Sequence, residues 1–180
     1  MSLKKQLYNT SYIEGKFTLR SGLKTNKGYF DKYLFESNPK LLRETAERIS
    51  LMLDFPNNID YIAGLELGGV PIAVMLSQII NLPTIFVRKR AKIYGTAKLA
   101  EGPSVKGKTL LIIEDVTTSG GQVVISAQDL RDRGAIINDT ISVIDRGQGA
   151  TKALKDIDIT LHPLYSLSEL KSVATACLKE

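Results

Sequence analysis

The sequence predicts a doubly wound α/β fold, a parallel sheet with helices on both faces, preceded by a small N-terminal hood. Two observations carry this. From residue 39 onward, short runs of apolar, β-branched residues alternate with helix-patterned stretches, as parallel strands joined by crossover helices require. The runs also end in charged residues: Glu66 after the first, Arg88 and Lys89 after the second, Glu114 and Asp115 after the third, Asp145 and Arg146 after the fourth. Ligands in such sheets bind at the carboxyl ends of the strands. A chain of 180 residues, 43% hydrophobic and 24% charged, fits one domain spanning residues 1–180 that buries most of its apolar surface.

Residues 1–38 fall outside the alternation and are expected to form the hood. Residues 39–53, PKLLRETAERISLML, predict a helix: Asn38 can cap it, Pro39 suits its first turn, and Leu42, Ala46, Ile49 and Leu53 share a face. IDYIAG (59–64) reads as a buried strand, GGVPIAVMLSQII (68–80) as a loop entering a helix, and TIFVR (84–88) as a strand. Residues 89–104 are polar, basic and glycine-containing, the composition of a loop. TLLII (109–113) is a strand and 120–133 a helix closed by Gly134. DTISVID (139–145) and DITLHPLYS (158–166) are strands, and LSELKSVAT a last helix.

Composition removes several functional classes. One cysteine, Cys177, allows no internal disulfide and no cysteine metal cluster, and a lone histidine, His162, makes no His-rich zinc site. His162 is read as structural and Cys177 as inert. No run approaches the ~20 apolar residues of a membrane span, and MSLKKQLYNTSYIEGKF lacks the apolar core of a secretion signal. A reducing cytoplasm is the expected setting. The net charge is +5, and its excess sits in RKRAKIYGTAK (88–98), which holds five cations and no acid. Such a segment attracts phosphate, on a nucleic acid or a small molecule. A nucleic-acid reader usually spreads cations more widely and interleaves aromatics; here Tyr94 is alone, so no nucleic-acid partner is expected.

The most informative stretch is TLLIIEDVTTSGGQVV (109–124). It joins a strand to a helix, so its amides lie at a helix N-terminus, where free N–H groups and the helix dipole favour a phosphate. Thr117, Thr118 and Ser119 add hydroxyl donors, and Gly120 and Gly121 let the backbone approach closely. Glu114 and Asp115 would repel a phosphate. They suit the vicinal hydroxyls of a ribose, or Mg²⁺ bridged through water. A phosphate cradle beside acids points to a phosphorylated sugar. The string lacks the Walker A lysine and is not GxGxxG.

LLIIEDVTTSGGQ resembles the phosphoribosyl pyrophosphate (PRPP) signature of the type I phosphoribosyltransferases, a family with this doubly wound fold and a small hood. Four further stretches are similar to the orotate branch of that family: FTLRSGLKTNKGYFD (17–31) to its N-terminal substrate segment, GLELGGVPIA (64–73) to its pyrophosphate-binding turn, VRKRAKIYGTAKLAEG (87–102) to its mobile catalytic loop, and VIDRGQGA (143–150) to the segment whose arginine meets orotate. The resemblance implies transfer of the phosphoribosyl group of PRPP to orotate, giving orotidine 5′-phosphate and pyrophosphate in pyrimidine biosynthesis. It implies PRPP contacts from Glu66, Leu67 and Gly68, from Arg88, Lys89, Lys92 and Tyr94, and from Glu114, Asp115, Val116, Thr117, Thr118, Ser119, Gly120, Gly121 and Gln122. Orotate contacts fall on Arg20, Tyr29, Phe30, Thr118 and Arg146, and catalytic roles on Lys89, Lys92 and Asp115. Mg²⁺ is expected mainly through PRPP, with Asp115 reaching it through water. A homodimer is implied, with the 88–102 loop acting across the interface. The chain departs from the family pattern at Tyr94, where histidine is frequent, and at Arg20, where some members carry lysine. Two other readings share the fold: transfer to a purine, against which Arg146 argues because purines carry no carboxylate, and a PRPP-sensing regulator, which tends to lose the basic loop.

Overall fold

The computed structural model describes residues 1–18, 24–25, 29–53, 58–89 and 99–177. The chain opens with helix α1 (Leu3–Ser11) and four two-residue strands, β1 (Tyr12–Ile13), β2 (Phe17–Thr18), β3 (Lys24–Thr25) and β4 (Tyr29–Phe30); β1 pairs with β4 and β2 with β3, both antiparallel. Helices α2 (Lys32–Glu36) and α3 (Pro39–Ser50) follow. Each has a cap that its sequence supplies. Asp31 accepts from the Tyr33 amide, and Asn38 Oδ1 accepts from the amides of Lys40 and Leu41 at 3.1 and 3.2 Å, satisfying donors that a helix start leaves open. α3 buries Leu41, Thr45, Ala46 and Ile49 and stops three residues short of the predicted end; Leu51, 71% exposed, belongs to no core face.

The alternation predicted from residue 39 is present. It runs β5 (Tyr61–Leu65), α4 (Gly69–Ile80), β6 (Thr84–Val87), β7 (Ala100–Glu101), β8 (Thr109–Thr117), α5 (Gly121–Arg131), β9 (Ile136–Asp145), α6 (Ala150–Lys155), β10 (Thr160–Ser166) and α7 (Leu167–Cys177). Six strands form one sheet in the order β10-β9-β8-β5-β6-β7, parallel throughout except for β7, which runs antiparallel to β6. Two of these elements are absent from the sequence reading. β7 lies within the segment read as loop: two residues carry no periodicity, and pairing with Phe86 and Val87 is what makes them strand. α6 is too short for a helical period to show, with only Ala150 and Leu154 buried.

A third difference concerns β8. The apolar run ends at Ile113, and the strand was predicted to end there. It continues through Glu114 and Asp115 to Thr117, because pairing with β9 persists: Glu114 opposes Ser142, Val116 opposes Ile144 and Thr117 opposes Asp145. Pairing with β5 stops at Gly64 opposite Ile113. The last four residues of β8 therefore have a free side, and the turn after β5 occupies it.

Alternation along the strands divides the interior into two layers. Leu110 and Ile112 join Ala63, Val123, Ala127, Leu130 and Leu154 under α5 and α6. Leu111 and Ile113 join Ile62, Ile72, Leu76, Ile49 and Ile141 under α3 and α4. Leu7 of α1 and Phe35 of α2, both fully buried, lie in this second layer with Leu170 of α7. The helices of the expected hood thus extend one helical layer. Each such buried side chain contributes roughly 1.5–3 kcal/mol of transfer free energy. In the sheet order β6 lies on one side of β5 and β8 on the other. The order in which strands are added reverses between β5 and β8, where a crevice opens at the carboxyl ends.

Candidate active site

Two structures meet at that crevice. The first is a recess of about 150 Å³ lined by Glu114 and by residues 116–123. Gly120, at φ +78°, turns the chain into α5, and no side chain caps the helix. Among the described residues none accepts from its first-turn amides at the recess, the arrangement that binds phosphate. Thr118 and Ser119 are exposed beside them. Thr117 differs from its neighbours: it is 2% exposed, and its hydroxyl reaches Ser142 Oγ and Asp145 Oδ1 at 3.2 Å each. That side chain ties β8 to β9. The Gln122 amide nitrogen donates to Ser126 Oγ one turn along α5.

The second structure is a buried group of charges on the opposite side of β8. Asp115, 1% exposed, shares the parity of Leu111 and Ile113 and points into the layer under α2 and α4. Its Oδ2 lies 2.5 Å from Lys32 Nζ, and its Oδ1 accepts from the Val116 amide at 2.5 Å. Glu36, one helical turn beyond Lys32 and 8% exposed, places Oε1 in the same space without a hydrogen-bond partner. Gly68 closes the group from above. A Cβ at that position would stand 1.6 Å from Asp115 Oδ2 and 2.6 Å from Glu36 Oε1, and one at Gly69 would stand 2.3 Å from the Ile113 carbonyl. Only glycine permits this contact between turn and strand.

Burial and mutual repulsion set the protonation of these acids. Burial, then the Asp115 carboxylate, pushes Glu36 up to about 8. The same two causes hold Glu114 well above the usual carboxylate range, with Lys32 and Lys89 opposing them. Burial alone would lower Lys32; its bond to Asp115 outweighs that and raises it. Lys32 and Glu36 are the site residues that sequence reasoning missed. An i, i+4 pair of opposite charges on a five-residue helix reads as a surface pair, and no local pattern announces that Glu36 is buried.

The other predicted residues are placed as follows. Glu66 is half-buried, and its Oε1 accepts from the Lys89 amide at 2.6 Å, joining the turn after β5 to the end of β6. The Glu66–Leu67 peptide is cis. Leu67 is 64% exposed. Arg88 Nε stands 3.6 Å from Glu101 Oε1 across the β6–β7 pair, and Lys89 is exposed. Arg146 is exposed at the end of β9; its amide donates to the Thr117 carbonyl, and it lines a second recess with Ser166, Ser168 and Lys171. Tyr29 is 40% exposed with its ring 5.6 Å from that of Phe17, whereas Phe30 packs on the layer under α3 and α4. His162 Nε2 lies 2.7 Å from Asp139 Oδ1 within the sheet, a structural pairing. Arg20, Lys92 and Tyr94 lie outside the described residues.

Among the described residues no three His, Cys, Asp or Glu side chains form a metal cage, and no helix is long and apolar enough to cross a membrane. The donor set nevertheless fits a Mg²⁺ carried by a substrate. Such an ion takes one or two carboxylates and completes its shell with phosphates and water, and Glu114 lines the recess.

Comparison with known proteins agrees with this geometry. The family described as phosphoribosyl transferase domain matches residues 35–166. The orotate phosphoribosyltransferase of a Nocardioides species is 44% identical over 164 residues, covering 91% of this chain and 90% of that protein. That of Pyrococcus horikoshii is 41% identical over 180 residues, covering 97% and 96%. The crystal structure of the Mycobacterium tuberculosis orotate phosphoribosyltransferase superposes with a TM-score of 0.79 at 26% identity, covering 93% of this chain and 96% of the other.

Proposed function

The chain belongs to the phosphoribosyltransferase family, and within it to the orotate phosphoribosyltransferases, and from that premise we propose how its residues divide the work of moving the phosphoribosyl group of PRPP onto orotate. The observation that carries the proposal is the recess at the start of α5, open and lined by unpaired amides, with Glu114 beside it at the reversal point of the sheet.

The 5-phosphate of PRPP sits in this recess against the first-turn amides of α5 and the hydroxyls of Thr118 and Ser119. Glu114 and Asp115 take the ribose hydroxyls. The pyrophosphate lies along the Glu66–Gly69 turn, against its backbone amides. Breaking the bond between the anomeric carbon and the pyrophosphate oxygen leaves positive charge on the ring, as in glycoside cleavage. Carboxylates at the end of β8 stabilise that charge, and Arg88, Lys89 and Lys92 take up the negative charge of the departing pyrophosphate. A ring nitrogen of orotate forms the new bond. The guanidinium of Arg146 pairs with the orotate carboxylate, with Arg20, Tyr29 and Phe30 on the other side of the pyrimidine. With Glu114 beside it and Asp115 reaching it through water, a Mg²⁺ carried by PRPP would supply further neutralisation of the pyrophosphate.

The same reading makes the protein a homodimer whose 88–102 segment serves the partner's site, in a reducing cytoplasm. Mixing Lys92→Ala and Asp115→Ala subunits then restores part of the activity that each lacks alone; no recovery above the two parents excludes the shared site. The primary test is the ultraviolet absorbance of orotate mixed with PRPP, Mg²⁺ and the protein. A fall that requires every component, and that Arg146→Ala abolishes, is expected. PRPP binding without any fall moves the acceptor to another base or the role to a PRPP sensor.

A further inference from the structure

Helix α2 reaches the site through two charged side chains that no sequence motif marks. Lys32 Nζ is 2.5 Å from Asp115 Oδ2, at the end of a side chain 28% exposed against 1% for the acid. Glu36 stands beside it, with Oε1 facing the position where a Gly68 Cβ would be. The other oxygen of Asp115 is held by the Val116 amide of its own strand. Lys32 is therefore the cationic partner of the Asp115 carboxylate, placed below the turn that precedes α4.

The charges around Asp115 explain why a cation is needed there. Glu36 of α2 and Glu114 of β8 both approach it, Asp31 lies at the start of α2, and Lys89 faces Glu114 from the end of β6. Take Lys32 away and a 1% exposed carboxylate meets two other carboxyl groups with no ammonium in contact. Rotation of Asp115 away from Gly68 is the way to relieve that uncompensated burial of charge, and it would displace the acid from the turn that closes over it. A compact ammonium suits this space, where a single oxygen is the acceptor.

We propose that Lys32 is a positioning residue for Asp115, so that the docking of α2 sets the geometry with which the end of β8 meets the ribose of PRPP. The proposal rests on the reading of Asp115 as a ribose-binding acid. Lys32 acts through Asp115 and touches no substrate itself.

The test is a double-mutant cycle read by calorimetric PRPP binding with Mg²⁺ and without orotate. Lys32→Met is expected to weaken PRPP binding about tenfold or more, and to change it by less than about twofold once Asp115→Asn is already present, as partners in one contact require. Lys32→Arg, which restores the charge, recovers part of the loss. Inorganic phosphate binding serves as the control for folding, because the recess at α5 is built without α2; it is expected to stay as in the unaltered protein. Should Lys32→Met fail to fold, the Lys32→Met/Asp115→Asn protein, which removes both charges, still reports against Asp115→Asn alone. Equal losses in both backgrounds overturn the proposal and leave the reading of the site standing. Failure of the unaltered protein to bind PRPP overturns that reading, and the proposal with it.

Discussion

The phosphate recess and the charge group beneath Gly68 occupy opposite sides of one strand end, and they are built in opposite ways. The recess is made from one short stretch of chain, Glu114 and residues 116–123, and leaves the first-turn amides of α5 open. The charge group draws Lys32 and Glu36 from α2, Gly68 from the turn after β5, and Asp115 from β8; its two acids are buried, and Lys32, 28% exposed, is the cation in contact with Asp115. The amides assigned to the phosphate are left open by the fold; the buried acid assigned to the ribose is held by contacts far apart in sequence.

The sharpest way to break this contrast is Gly68→Ala. Its methyl carbon would fall 1.6 Å from Asp115 Oδ2, so the turn or the acid must move. A loss of roughly 100-fold or more in kcat/KM and about 3 kcal/mol in unfolding free energy is expected, since overpacking is added to a disturbed buried ion pair. Turnover assays and urea midpoints measure it; near-normal values would show that the group is loosely held.

Glu36→Gln sharpens the comparison through pH. The carboxyl of Glu36 is raised from 4.5 to about 8 by burial and by Asp115. The folded state thus holds a proton that the unfolded chain releases. The stability linked to this group is fully present below about pH 4.5 and is lost as pH rises through about 8. Glutamine mimics the neutral acid. The variant should match the unaltered protein at pH 4 and exceed it at pH 9 by on the order of 2 kcal/mol, seen as a flatter dependence of Tm on pH.

Gly121→Ala is the smallest change and the control on the open side. Its Cβ would meet only Ser119 Oγ, at 3.7 Å, and the residue begins a helix. A stability change within about 0.5 kcal/mol is expected in denaturant titration. A defect comparable with that of Gly68→Ala would mean the recess is as closed as the charge group.

The same contrast decides what the sequence discloses. Strands and helices after residue 39 follow from periodicity, and the recess follows from a contiguous string whose residue types are individually interpretable. The charge group is not legible, because its members are separated by about eighty residues and each alone suits a surface. One signal was available. Asp115 and Thr117 share the parity of Leu111 and Ile113, so an extended strand turns both inward. Ending the strand at Ile113 concealed that. Charged residues end an apolar run, but they do not end a sheet whose next strand continues to pair with them.

β8 carries a further consequence. Residues 110–113 are the middle of both hydrophobic layers, and residues 114–117 are the floor of the site, on one strand whose register with β9 is regular from Leu111 to Thr117. Local opening of the site floor therefore has no hinge available to it. Those of its backbone amides that bond to β9 should exchange with deuterium as slowly as those of the core strands, on the timescale of global unfolding. Adaptation of this enzyme to a new acceptor then has to come through the segments around the strand, since any change in the strand itself is felt by the whole protein.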